Sequence, residues 1–205
     1  MVSRSVAVVG AGKVGVALAG GLLAAGHRVA LGVRDPDNPK HEPLRSTLSL
    51  TSQNEAAGGA EVVVLAVPAT ALGEVVPSLG LRSGQVIADA TNAVREPIPR
   101  DFETVGAFVV SLVPDGVAVV KAFNTIGAEH LGDGRFGERA AFLPIAGDDA
   151  GRPVVSALAS DLGFEVAELG GRERFGMVED HARLWIHLAF GCGWGRDFGF
   201  TVARP

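Results

Sequence analysis

The stretch Ser5–Gly15, SVAVVGAGKVG, decides the fold. Ser5 to Val9 is a short β-branched apolar run of the kind buried on both faces of a sheet, and it passes directly into Gly10, Ala11, Gly12, Lys13, Val14 and Gly15. Downstream, Val14, Ala17, Leu18, Gly21, Leu22 and Ala25 recur at three- and four-residue spacings, so a helix opens within the glycine run and Gly26 stops it. A second strand follows over Arg28–Gly32. In a strand, glycine turn and helix of this kind, the first glycine makes the tight turn, the second lets backbone approach a pyrophosphate, and the third lets helix pack on strand. The helix also presents N–H groups and the positive end of its dipole to the phosphates. A chain with 28 glycines holds such spacings by chance. The strand before and the helix after make this one a dinucleotide loop rather than a plain turn.

Outward from this unit, strands are predicted over Glu61–Val67, Gln85–Ala90, Ala118–Ala122, Ala140–Ala146 and Glu165–Ala167. Helices are predicted near Ala71–Leu79, over Asp149–Leu162 and over Glu173–Phe190. Asp35–Pro43, with three prolines, reads as an irregular loop over the site. The alternation implies an α/β, Rossmann-type doubly wound, mainly parallel sheet with helices on both faces and a short C-terminal helical extension. All 205 residues are expected to form one nucleotide-binding domain, with 173–205 as its C-terminal helix and tail.

Composition narrows the partners. A formal net charge of −5 with no run of five like charges argues against nucleic acid. No uncharged apolar segment reaches the roughly 18 residues of a membrane span, and no signal peptide is visible. The lone Cys192 forbids an intrachain disulfide or a thiolate metal cluster, so a cytoplasmic protein binding small-molecule cofactors and no metal is expected. Between Gly191 and Gly193, that cysteine suggests close backbone packing.

An NAD site places Asp or Glu at the end of the second strand to accept from the ribose hydroxyls. Here Gly32 and Val33 stand there, followed by Arg34. A guanidinium suits a 2′-phosphate, with Lys40, His41 and Arg45 adding charge, so NADP is favoured. The alternative is a solvated Arg34 paired with Asp35 or Asp37. The absence of tyrosine excludes Tyr–Lys dehydrogenase chemistry, and five scattered histidines with one cysteine do not build catalytic zinc sites. With so few acids and bases, hydride transfer between two stacked rings is the reaction that fits, since it needs positioning rather than proton transfer.

Glycines 10–15, Arg34, VVVLAVPATA at Val62–Ala71, DATNAV at Asp89–Val94 and above all VVKAFNTIG at Val119–Gly127 make the sequence resemble NADPH-dependent reductases of the deazaflavin coenzyme F420. It is similar, more distantly, to the NADP-binding domains of 6-phosphogluconate dehydrogenase and pyrroline-5-carboxylate reductase. The resemblance implies that Gly10, Gly12, Lys13, Val14, Gly15 and Arg34 hold NADP, with Ala66, Val67 and Pro68 on its ribose side. It also implies that Lys121, Ala122, Phe123, Asn124 and Thr125 lie where nicotinamide and deazaflavin meet, beside Thr91 and Asn92. Asn124 is expected to orient a ring as a hydrogen-bond donor. Phe123 can equally be core, and Lys121 can equally pair with a surface acid. Trp185, Phe190, Trp194, Phe198 and Phe200 crowd the tail, implying cover by a ligand or a second subunit, hence a homodimer. Arg172, Arg174 and Arg183 are placed to receive an acidic cofactor tail. An NADPH-dependent reductase of flavin, ferric iron, a small imine or carbonyl, and a non-catalytic NADP-binding module, stay open as alternatives.

Overall fold

A computed structural model describes residues 2–93 and 98–204. Val94, which ends the DATNAV run, lies outside the described residues. The nucleotide unit forms as its sequence reads, with β1 (Ser5–Val9), α1 (Lys13–Ala24) and β2 (Arg28–Val33). The chain continues through β3 (Ser49–Ser52), α2 (Gln53–Gly58), β4 (Val62–Leu65), α3 (Leu72–Ser78), β5 (Val86–Asp89), α4 (Val105–Leu112) and β6 (Ala118–Lys121). A small hairpin of β7 (Arg135–Phe136) and β8 (Arg139–Ala140) precedes β9 (Phe142–Gly147), α5 (Arg152–Asp161), β10 (Glu165–Glu168) and α6 (Phe175–Ile186).

Eight strands form one sheet in the order β10-β9-β6-β5-β4-β1-β2-β3, parallel throughout except where β9 runs against β6. Strand order reverses between β1 and β4, and ligands of open α/β sheets bind at the C-terminal strand ends beside such a reversal. Alternation along β1 shows how both faces are filled. Val6 and Val8 pack with Leu18 and Leu22 of α1 and Val155 and Leu158 of α5. Ala7 and Val9 pack on the other face with Ala56 of α2, Leu72 of α3, Val109 of α4 and Val178 of α6. Each large aliphatic side chain so buried contributes about 1.5–3 kcal/mol.

Four departures from the sequence reading have local causes. Pro39–Leu44 is a 3-10 helix rather than irregular loop: the Asn38 side chain accepts from the Lys40 N–H (3.1 Å), and Pro39 opens the turn with its φ already set. β3 and α2 were not predicted, because SLTS carries no apolar period and α2 is only six residues long. A capping box between Ser52 and Glu55 starts α2, and that spacing is visible in the sequence. Apolar at nearly every position, VGAFVVSL of α4 has no helical period, and Thr104 caps it at the Ala107 N–H (3.1 Å). The C-terminal helix ends at Ile186 and passes into a π-helical turn, His187–Gly191.

Candidate functional site

The phosphate end is built from backbone. Gly10 adopts φ 115°, and a Cβ there would stand 2.5 Å from the Ala66 carbonyl oxygen; its N–H donates to Gly32 O (2.9 Å), which pins the loop between the ends of β2 and β4. A Cβ on Gly15 would come within 1.8 Å of Gly10 O. A Cβ on Gly12, the N-cap of α1, would meet nothing within 4 Å, so the approach to the helix end is open. No acidic residue occupies the first turn of α1, and its leading N–H groups have no partner within the helix. Open space and a positive helix end together fit a pyrophosphate.

Arg34 follows β2 directly with a side chain 76% exposed, and its nearest acid is Glu74 of α3 at 3.7 Å. An exposed pair of this kind is worth at most about 1 kcal/mol, which leaves the guanidinium available to a phosphate. Neither Asp35 nor Asp37 holds it: Asp35 accepts from the Asp37 N–H (3.1 Å), and Asp37 lies 3.8 Å from Arg45. Lys40 is exposed on the 3-10 turn, whereas His41 is buried and Arg45 is tied to Glu42 (3.3 Å) and the Pro36 carbonyl. Of the four expected cations, Arg34 and Lys40 remain presented.

From Val14 of the first helical turn, a cleft of about 460 Å³ runs past Pro68 and the ends of β5 and β6 to α6 and the tail. Its floor holds Asn92 and Asn124; Trp185, Ile186 and Phe190 form the far wall. The Asn92 Nδ2 donates to the Asn124 carbonyl oxygen (2.7 Å), which fixes the Asn92 amide, and the Asn124 Nδ2 donates to Asn92 Oδ1 (3.1 Å). Asn124 Oδ1 is left without a partner, so the amide expected to act as donor has its nitrogen engaged and its acceptor free. Ala122 and Phe123 do not reach the cleft. Both are buried in the core, where Phe123 packs edge-on against Phe164 (6.4 Å). Phe123 sits at φ 60°, a left-handed conformation costing about 1–3 kcal/mol, and this turn is what swings Asn124 to the floor. Ala66 and Val67 lie against Gly10 and pack on opposite faces of the sheet, Ala66 with the core of Val6 and Val8 and Val67 with that of Ala7 and Val9, leaving Pro68 as the member of that trio at the cleft.

Lys121 pairs with no surface acid. Its ammonium is completely buried and bonds to Asp89 Oδ2 (2.8 Å) and Thr91 O (2.5 Å), with Glu179 Oε1 at 3.7 Å. The sequence reading missed Asp89 and Glu179 as partners because they stand 32 and 58 positions away.

The tail straps the far wall. The Phe142 N–H donates to Phe200 O (2.7 Å), Trp185 Nε1 donates to Phe198 O (3.0 Å), and Arg196 grips Glu129 through paired contacts of 3.0–3.1 Å. That grip, foremost its hydrogen bond, holds the Glu129 carboxyl below its ordinary pKa. Phe190 and Trp194 stay largely exposed, at 62% each. Cys192 is exposed too, and of its flanking glycines only Gly191 is closely packed, against His187. Arg172 is committed to Asp148 (2.6 Å) and Arg183 to Asp180; Arg174 lies 3.7 Å from Glu173.

Residues 5–93 match the family model described as NADP oxidoreductase, coenzyme F420-dependent. No curated protein matches the sequence. A solved structure of a candidate F420-dependent NADP-reductase from Arthrobacter sp. FB24 is 26% identical, with a TM-score of 0.82 over 98% of this chain and 100% of that one. A hypothetical protein from Sinorhizobium meliloti is 30% identical, with a TM-score of 0.72 over 82% and 85% of the two chains. An imine reductase from Aspergillus terreus, 17% identical over 95% of this chain and 64% of its own with a TM-score of 0.67, shows the shared fold alone. Among the described residues no helix is long and apolar enough to cross a membrane. Residues 5–93 thus carry the domain of the family described as NADP oxidoreductase, coenzyme F420-dependent, and the whole chain shares its fold with the Arthrobacter protein.

Proposed function

We propose that this protein exchanges a hydride between NADP(H) and the deazaflavin coenzyme F420 in the cleft between the glycine loop and α6. One observation carries the reading: among the described residues lining the cleft, Arg196 is the sole ionisable side chain, and Glu129 already holds it. A site without a free acid or base suits a transfer that needs aligned rings and little proton movement.

In this reading Gly10, Gly12, Lys13, Val14 and Gly15 cradle the pyrophosphate, and Arg34, with Lys40 nearby, meets the 2′-phosphate. Pro68 flanks the ribose, with Ala66 and Val67 behind it holding the end of β4 against Gly10. Asn124 Oδ1 accepts from a ring amide, while Asn92 keeps Asn124 in place and Trp185 and Phe190 supply flat apolar surface. Bound NADPH supplies the hydride, and the chain supplies position and exclusion of water. Met177 and Leu184, exposed seven residues apart on the outer side of α6, support a homodimer across that helix.

The deciding experiment adds oxidised F420 to protein saturated with NADPH and follows the deazaflavin absorbance. Rapid bleaching is expected. NADPH binding with no bleaching at acidic or alkaline pH would move the activity to another acceptor, such as a flavin, ferric iron or a small imine.

A further inference from the structure

A fully buried ammonium needs hydrogen-bond partners and opposite charge, and Lys121 finds two hydrogen-bond acceptors at the end of β5 and a carboxylate on α6 within ion-pair distance. Asp89 closes β5, Thr91 lies two residues beyond it, and Glu179 belongs to α6. Each acid is satisfied in turn. Asp89 Oδ1 accepts from the Thr91 N–H (2.9 Å) and hydroxyl (2.6 Å), and Glu179 accepts from the Val105 and Gly106 N–H groups (3.2 and 3.1 Å) at the positive start of α4.

We propose that Lys121 is the positioning residue of the cleft, its ammonium holding the floor of Asn92 and Asn124 in register with the α6 wall of Trp185 and Ile186. The connection is continuous. Residues 89–92 and 121–124 are stitched together by the Lys121 bonds, by the Ala122 N–H to Asp89 O (3.1 Å) and by the Asn92–Asn124 amide pair. Phe123 keeps its left-handed φ because the residues on both sides of it are pinned. Six residues along α6 from Glu179 stands Trp185, so one ammonium fixes two walls. A buried ion pair adds little net stability over an apolar replacement of similar volume, so the contribution of this cluster is geometry.

The inference rests on the nucleotide reading above, and the test separates the two. Removing the lysine alone leaves the buried Asp89 carboxylate without its counter-charge, so the informative protein is Asp89→Asn with Lys121→Met, in which an amide replaces the ion pair while Glu179 keeps the Val105 and Gly106 N–H groups. Affinity is measured for 2′,5′-ADP, which reaches only the glycine loop and Arg34, and for NADPH, which also reaches the floor. The double variant is expected to melt cooperatively and to bind 2′,5′-ADP within about twofold of wild type, while NADPH weakens about tenfold and turnover falls about 100-fold. NADPH affinity and turnover both within about twofold of wild type in a folded variant would overturn the proposal. Should the pair fail to fold, Lys121→Gln keeps a donor in the pocket. An intermediate NADPH affinity then supports the role, and wild-type affinity and turnover overturn it. If wild-type protein fails to bind 2′,5′-ADP at all, the nucleotide reading falls and takes this inference with it.

Discussion

The two ends of the cleft are made differently. At the phosphate end, everything that matters lies within about thirty residues of sequence and is mostly main chain: a turn at Gly10, an open helix end at Gly12, a close contact at Gly15. At the ring end, four segments from distant parts of the chain meet through side chains, with Asn92 beyond β5, Asn124 beyond β6, Trp185 on α6 and Arg196 in the tail. A backbone site has no side chain to vary and is broken only by bulk. A side-chain site is tuned by single substitutions, which makes it the end where members of one fold come to differ in their second ligand.

The largest effect that separates these ends is expected within the glycine loop. Gly15→Ala places a Cβ where Gly10 O already stands, 1.8 Å away, so helix and strand must part; about 3 kcal/mol or more of stability should go, together with NADPH binding. Gly12→Ala meets nothing within 4 Å and should cost at most about 1 kcal/mol in a thermal melt, yet weaken NADPH by tenfold or more because the methyl occupies the approach to the helix end. Equal losses of stability in the two variants would contradict the division between a packing glycine and a ligand glycine.

Next in size is Arg34→Ala. With its guanidinium exposed and only loosely held by Glu74, the variant should melt like wild type, while NADP affinity drops about 10- to 100-fold and NAD affinity hardly changes, as titration of both nucleotides would reveal. A smaller, purely ring-end effect is expected of Phe190→Ala. Since this side chain is 62% exposed, stability should change by no more than about 0.5 kcal/mol, and the KM for the acceptor should rise several-fold at unchanged NADPH affinity. A rise in NADPH Kd with constant acceptor KM would exchange the roles assigned to the two ends.

How much was legible in sequence follows the same division. SVAVVGAGKVG announced β1, the turn and α1 because local spacing alone dictates them, and Arg34 was singled out by its place after β2. The strands read as apolar runs formed to within one or two residues at most ends, and even Asn92 and Asn124 were drawn to the floor of one cleft. Illegible were the relations that need the third dimension. Lys121 looked like any lysine in a strand until Asp89 and Glu179 closed on it, and nothing in KAFNT says that Phe123 turns inward at φ 60° while Asn124 turns out. Two local signals were simply passed over, the Ser52–Glu55 capping box and the Thr104 cap.

The smallest expected effect tests whether the strap is part of the ring end or only covers it. His181 of α6 lies between Phe142 and Phe200, ring centroids 5.5 and 4.8 Å away, and its Nε2 has no partner. Burial among these rings pushes the imidazole pKa below its ordinary value. The unfolded chain therefore takes up a proton near pH 6.5 while the native protein still resists it, and stability falls as pH drops below that value until the native imidazole charges as well. Melts of wild type from pH 7.5 to 5 should show a loss that His181→Leu diminishes, each kcal/mol corresponding to about 2–4 °C in a chain of this size. Because Phe200 hangs on the Phe142 N–H and Arg196 shares its segment, charging His181 should loosen the wall near Phe190 before it disturbs the glycine loop. NADPH binding should then hold down to pH 5.5 while acceptor KM climbs; parallel loss of both would mean that the strap is bound to the whole fold and not to one end of the cleft.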